Sequence, residues 1–296
     1  MPDLLLLSQG MGVSAGVAAL VVFGLARASR PIDDGKLNFA CTLAIAGGVV
    51  LGCGTVGLWP RWPPMNGLDR LLTIVLSAAI VIELIGSMAR VPRRLAWALR
   101  VGLVIVTGRV LLRGSTYLVG PNAAWTTGEA TAALALCAAI FGGVWLLLAK
   151  LSQRSPGISI PLAVGLAILG AGMAIMLAGY VKGGIAGMLL AAALVGSVLS
   201  AGRLAPRCHL TCAIGLGVVS LAGLLFIGRF FGGLTTANAL TMFLCPLLCW
   251  TTELPLLRSC GPRIIGALRI AVVAIPLVVI FVRVLRDFKQ HTIPLL

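Results

Sequence analysis

The chain is poor in charge: charged residues make up 10% of its 296 positions, against about 25% in soluble domains. Acidic groups are scarcest, with three glutamates, five aspartates and two histidines in the whole chain. So few acids and imidazoles leave little material for hydrolytic or metal chemistry, and no H-E-x-x-H pair, G-x-x-x-x-G-K-[ST] phosphate loop or G-x-S-x-G elbow occurs. No known catalytic constellation is present and no metal or other cofactor is expected, which leaves an enzyme built from scattered Ser, Cys and His as the lesser alternative to a non-enzymatic chain. Long polar connections are lacking too, so no soluble domain is expected between the apolar runs.

What is abundant is apolar surface. Hydrophobic residues form 59% of the chain and mean hydropathy is +1.09, more than a water-soluble fold can bury. A bilayer-crossing helix needs about 20 consecutive apolar residues. On that criterion the sequence predicts an all-α, polytopic transmembrane helix bundle of about ten spans, forming one integral membrane domain over 1–296. The runs are 4–25, 39–59, 71–88, 95–112, 127–149, 158–180, 184–201, 209–227, 235–252 and 264–284. They are apolar on every side, unlike the alternating strands of a barrel. The first has no Lys or Arg before Arg27 and is too long for a signal core, so it is expected to be retained.

The formal charge of +15 lies mainly in the connections, which is the pattern of basic loops retained on the cytoplasmic side and not of a nucleic-acid surface. Arg27, Arg30 and Lys36, Arg90, Arg93 and Arg94, Lys150 and Arg154, Arg203 and Arg207, and Arg258 and Arg263 occupy the odd-numbered connections. The positive-inside rule places those connections in the cytoplasm and the N-terminus outside, and the short loops without appended domains lead to the expectation of a prokaryotic cytoplasmic membrane. Arg283, Arg286 and Lys289 follow the last run and disagree, as they would if one helix were miscounted.

Eight cysteines fall mostly within apolar runs and are read as small buried residues; Cys208/Cys212 and Cys245/Cys249 are spaced by four, unlike a C-x-x-C metal hook. Small residues four apart, at Gly12/Gly16, Gly48/Gly52 and Gly183/Gly187, allow close helix approach, either within the bundle or to a second copy or another membrane subunit. Shifting the chain by 170 positions lays Glu83-Leu84 on Glu253-Leu254 and Pro92-Arg93 on Pro262-Arg263, which is either a parallel internal repeat of about 39–113 and 209–283 or a coincidence of a biased composition.

A charge near the bilayer centre is unfavourable by at least about 2.5 to 3.5 kcal/mol, so an ionisable residue within a run needs a partner or a task. Glu83 and Arg100 flank Pro92, and Glu253 and Arg269 flank Pro262, at matching depths. The spacing predicts one Glu–Arg pair per hairpin, serving either as a fastener or as a proton or ion-coupling site on an internal pathway. Arg109, Arg113 and Arg283 lie toward the other face, where they either snorkel or hold an anion or lipid headgroup; all five aspartates are expected outside the apolar cores. Transport of a small solute or lipid across or within the bilayer, or a non-catalytic scaffold within a membrane complex, are the two functions compatible with this pattern. Transport requires both glutamates to face a shared polar cavity; a scaffold closes each hairpin on its own pair.

Overall fold

A computed structural model of the protein describes residues 4–28, 33–88, 90–115, 117–118, 125–206, 208–254 and 261–292, the side chains at 262, 289, 291 and 292 aside. Arg30, Arg207, Arg258, Cys260 and the side chains of Lys289 and His291 lie outside the described residues. Every regular element within them is helical: α1 (Leu4–Ala28), α2 (Asp34–Thr55), α3 (Gly67–Arg70), a π turn (Leu71–Val75), α4 (Leu76–Ser87), α5 (Arg93–Leu112) and α6 (Thr127–Arg154). There follow α7 (Ser159–Leu177), α8 (Val181–Leu204), α9 (Thr211–Phe230), α10 (Thr236–Leu244), a 3-10 stretch (Cys245–Glu253) and α11 (Pro262–Thr292).

Helices dominate because apolar surroundings offer the backbone no other hydrogen-bond partners. Their free N-terminal amides are taken up by short polar side chains. Asp33 Oδ1 accepts from Lys36 N–H at 2.7 Å, Asn66 Oδ1 from Asp69 N–H at 2.8 Å, and Thr126 and Glu129 form a reciprocal capping box on α6.

The expected count of about ten spans is corrected to eight: among the described residues, eight helices are long and apolar enough to cross a membrane. The two runs that drop out, 71–88 and 235–252, are apolar but not continuous α-helix. In the first, the π turn precedes α4 and the Thr73 hydroxyl donates to Asp69 O at 2.6 Å. In the second, Pro246 has no N–H to give to an i−4 carbonyl, and the chain tightens into 3-10 geometry. Each interrupted run still leads from one end of the bundle to the other: Gly67 lies against Phe231 at the close of α9, and Gly35 at the head of α2 lies against Ser87. Likewise Thr236 accepts from Arg229 at the close of α9, and Glu253 meets Ser155 where α6 ends.

The centre of the bundle is α8 and α9, whose apolar windows are 78% and 83% buried, whereas α1, α5 and α6 at 28% and α11 at 22% form the outside. Small residues set the centre. Ser14 Oγ of α1 donates toward Gly48 O of α2 (2.9 Å) and Leu189 O of α8 (3.0 Å), and a Cβ on Gly48 would sit 2.5 Å from Ser14 O. Of the three small-residue stripes, Gly48/Gly52 and Gly183/Gly187 are consumed in this internal packing, the latter against Tyr180 and Gly172. Gly12 and Gly16 face outward, with nothing within 4 Å of a Cβ placed on either.

The 170-position shift lays the π turn on 241–245, where α10 gives way to 3-10 geometry, and the head of α5 on that of α11. The two hairpins thus share their order: a broken helix carrying Glu, then a continuous helix carrying Arg.

Candidate functional site

α4 presents Glu83 one turn from its end and α5 presents Arg100 two turns from its start, so the hairpin brings them level. Arg100 Nε donates to Glu83 Oε1 at 2.9 Å and Nη2 to Oε2 at 2.7 Å, a bidentate pair whose carboxylate is 2% exposed. The guanidinium lies between two indoles, 5.2 Å from the Trp97 ring centroid and 5.9 Å from that of Trp145. Trp97 shares a face of α5 with Arg100; Trp145 comes from α6. Space for the carboxylate is made by Gly215 of α9, where any side chain would press on Glu83 and meet Trp145 at 3.1 Å.

A polar cavity of about 180 Å³ adjoins Glu83 on the side of the bundle where α2 and α9 begin. Asp34, Asn38, Ser87, His209 and Cys212 help to line it. Asn38 ties it together: its Nδ2 donates to Asp34 O (2.7 Å) and His209 O (2.8 Å), and its Oδ1 accepts from Cys212 N–H at 3.1 Å.

The second pair is wired differently. Arg269 Nη2 reaches Glu253 Oε1 at 2.8 Å, but the same guanidinium also donates to Thr252 (2.8 Å), Ser159 (3.0 Å) and Ser155 (2.9 Å). Ser155 in turn donates to Glu253 at 2.8 Å. The cluster joins the end of α6, the start of α7, the 3-10 stretch and α11. Each pair therefore sits in its own hairpin, and Glu253 lines none of the cavities that adjoin Glu83 or Arg100. The shared cavity required of a pathway lined by both glutamates is not the arrangement found.

On its other side Arg100 faces a long lateral cleft between α5 and α6. Two adjoining cavities, of about 560 and 850 Å³, share Ile105, Arg109, Thr131 and Leu134 and run from Trp97 to Gly114. At ~1.5 Å per residue that is roughly 26 Å, most of a ~30 Å hydrocarbon core. The cleft exists because two i+4 stripes face each other. α5 supplies Trp97, Val101, Ile105, Arg109 and Arg113, and α6 supplies Thr127, Thr131, Ala135, Ala139 and Gly143, too small to fill the gap. Arg109 and Arg113 are exposed in it, and among the described residues neither guanidinium has a hydrogen bond or ion pair. Tyr117, Trp125 and Phe230 cluster at this end, with ring centroids 5.1 to 5.5 Å apart. Arg283, on α11, is exposed and does not line the cleft, so it stands apart from the other two.

The remaining polar groups are placed as follows. Glu129 is used in capping α6. Cys41, Cys53, Cys208, Cys212, Cys245 and Cys249 are buried free thiols, Cys137 is half-buried, and His209 Nδ1 lies 3.2 Å from Ser152 O. No three His, Cys, Asp or Glu side chains gather as a metal set among the described residues. Asp69, at the head of the broken α3 to α4 run and just outside the apolar run itself, is 6% exposed, and its Oδ2 is buried without a hydrogen bond among the described residues. Trp97, Trp145, Asn38 and the small α6 stripe are the other participants that charge-centred reading passes over. No protein-family model matches the chain, and no curated protein or solved structure matches it.

Proposed function

We propose that this protein is a membrane-embedded carrier of an amphiphile with an anionic headgroup, which it moves within or across the bilayer along the α5–α6 cleft. The observation that carries this reading is the cleft itself: apolar walls, outward opening and arginines at three depths, Arg100, Arg109 and Arg113. An acyl chain would otherwise be the natural filling of an apolar lateral groove; Arg109 and Arg113, which have no ion pair among the described residues, select for an anionic head by charge complementarity. Transport along a pathway lined by both glutamates does not fit the two separate hairpins; the α5–α6 groove at the bundle's edge is a different route, and lipid movement is proposed on the groove alone. On this reading the chain is one membrane domain of a prokaryotic cytoplasmic membrane, with the Glu–Arg ends of both hairpins toward the basic, cytoplasmic side, supported by the basic residues in the adjoining connections.

The test is reconstitution into liposomes carrying headgroup-labelled phosphatidylglycerol or phosphatidylcholine, with quencher added outside. The reading expects faster loss of the inner-leaflet signal than in protein-free liposomes, greater for phosphatidylglycerol, and a return to background in Gly143→Leu. Equal rates with and without protein would remove it. A second reading, a non-catalytic subunit of a membrane complex or homo-oligomer, rests on the outward Gly12/Gly16 face and the two closed hairpins. Gly12→Leu would then abolish association in detergent while leaving lipid movement unchanged.

A further inference from the structure

The two Glu–Arg pairs, equivalent in sequence, differ in what each glutamate has besides its arginine. Glu253 keeps the Ser155 hydroxyl. Among the described residues, Glu83 has both oxygens on Arg100 alone, at 2.9 and 2.7 Å, in a site 2% exposed. If Arg100 leaves, a buried carboxylate remains with no other donor, and the way to avoid a stranded charge is to take up a proton. The surroundings supply both halves of that exchange. Arg100 lines the lateral cleft on one side. Glu83 adjoins the polar vestibule of Asp34, Asn38 and His209 on the other.

We propose that Glu83 is a proton-exchange site, releasing Arg100 to an anionic headgroup in the cleft and taking one proton from the vestibule as it does so. This rests on the cleft reading above and names what drives it. Before the exchange, Arg100 cation and Glu83 carboxylate are paired; afterwards Arg100 is paired with the headgroup phosphate and Glu83 is a neutral acid. One anion and one proton enter together, so the charge of the site is unchanged. The charged and titratable groups facing Glu83 are Arg100 of α5, Asp34 of α2, and His209 and Cys212 around the head of α9; α4 adds none. Deeper cleft occupancy therefore follows falling pH: protonating Glu83 frees Arg100, and the phosphodiester head stays anionic throughout.

The experiment is lipid binding in nanodiscs of phosphatidylcholine, undoped or doped with phosphatidylglycerol, from about pH 8 to about pH 5, with infrared difference spectra reading protonated carboxyl. Wild-type affinity for phosphatidylglycerol should rise toward tenfold per pH unit lowered, the slope of one coupled proton, with a protonated-carboxyl band appearing on binding. Glu83→Gln, which mimics the neutral acid, should bind tightly at every pH without the band; Arg100→Gln should lose the pH-dependent component. His209→Gln and Asp34→Asn, which change the other vestibule groups, should keep it. A pH-independent wild type that still binds phosphatidylglycerol, or loss of the pH dependence in His209→Gln, would overturn the exchange while leaving the cleft reading standing. Absence of phosphatidylglycerol binding at every pH would overturn both. Thermal unfolding of each variant shows that the binding data come from folded protein.

Discussion

Arg269→Met offers the sharpest stability test, because the structure makes Arg269 the node of four elements. The substitution keeps most of the side chain's length and removes four hydrogen bonds, to Thr252, Ser159, Ser155 and Glu253. Summing them at ~1.5 to 3 kcal/mol each for bonds to a charged group would give about 6 to 12 kcal/mol. That sum is too large. The three hydroxyls can turn to nearby carbonyls, as Thr252 already does toward Cys249 O at 2.9 Å, and the Glu253 side chain is 18% exposed and keeps Ser155. The expected loss is therefore nearer the ~3 to 5 kcal/mol found when one partner of a buried pair is removed, at the lower end because water reaches Glu253. Thermal and denaturant unfolding in a mild detergent would measure it. Adding Glu253→Gln removes the stranded charge, so Arg269→Met/Glu253→Gln should be more stable than Arg269→Met alone. Unchanged stability in the single variant, or strictly additive losses in the double, would refute the fastener role assigned to this pair.

Other consequences follow from the same geometry. Gly215→Ala drives a methyl group against the Glu83 carboxylate and the Trp145 ring and should destabilise by about 1 to 3 kcal/mol in the same unfolding assay, through overpacking. At Gly143 a Cβ enters open space, so Gly143→Leu should leave the unfolding temperature unchanged or raised while closing the cleft to labelled lipid. Asn38→Ala leaves the buried Cys212 N–H without its acceptor and removes the amide's bonds to Asp34 O and His209 O, and should lower stability by about 1 to 3 kcal/mol, with faster hydrogen exchange at the head of α9.

Much of the architecture was legible because lipid leaves the chain few options. Long apolar runs become helices, and basic clusters with Pro and Gly mark where they end. The pairing of residues across Pro92 and Pro262 followed from counting 1.5 Å rises on either side of a turn. Helix continuity did not follow. Nothing in Leu71–Val75 announces a π turn, whose register depends on neighbouring helices, whereas Pro246 was a visible cause of the 3-10 stretch that hydropathy alone overlooks. The burial of Asp69 was not legible, because apolar-run boundaries say nothing about which residues just outside a run the rest of the bundle covers. The cleft was present in the sequence as two stripes of period four, but a stripe of Thr, Ala and Gly on α6 signals close packing as readily as a gap. Only the partner helix decides which. Gly48/Gly52 and Gly12/Gly16 make the same point, since one stripe is filled by Ser14 and the other is open.

The central claim, that the α5–α6 cleft holds an anionic amphiphile, is tested most directly by photo-crosslinking from inside it. A photoreactive amino acid is placed at Val101 in the cleft or at Leu20 on the outer face of α1, both exposed, in membranes of mixed phosphatidylcholine and phosphatidylglycerol. The captured lipids are identified by mass spectrometry. The account predicts that Val101 captures phosphatidylglycerol well above its share of the membrane, that Leu20 captures it in proportion, and that Arg109→Gln/Arg113→Gln abolishes the excess. Equal lipid composition at the two positions would contradict it.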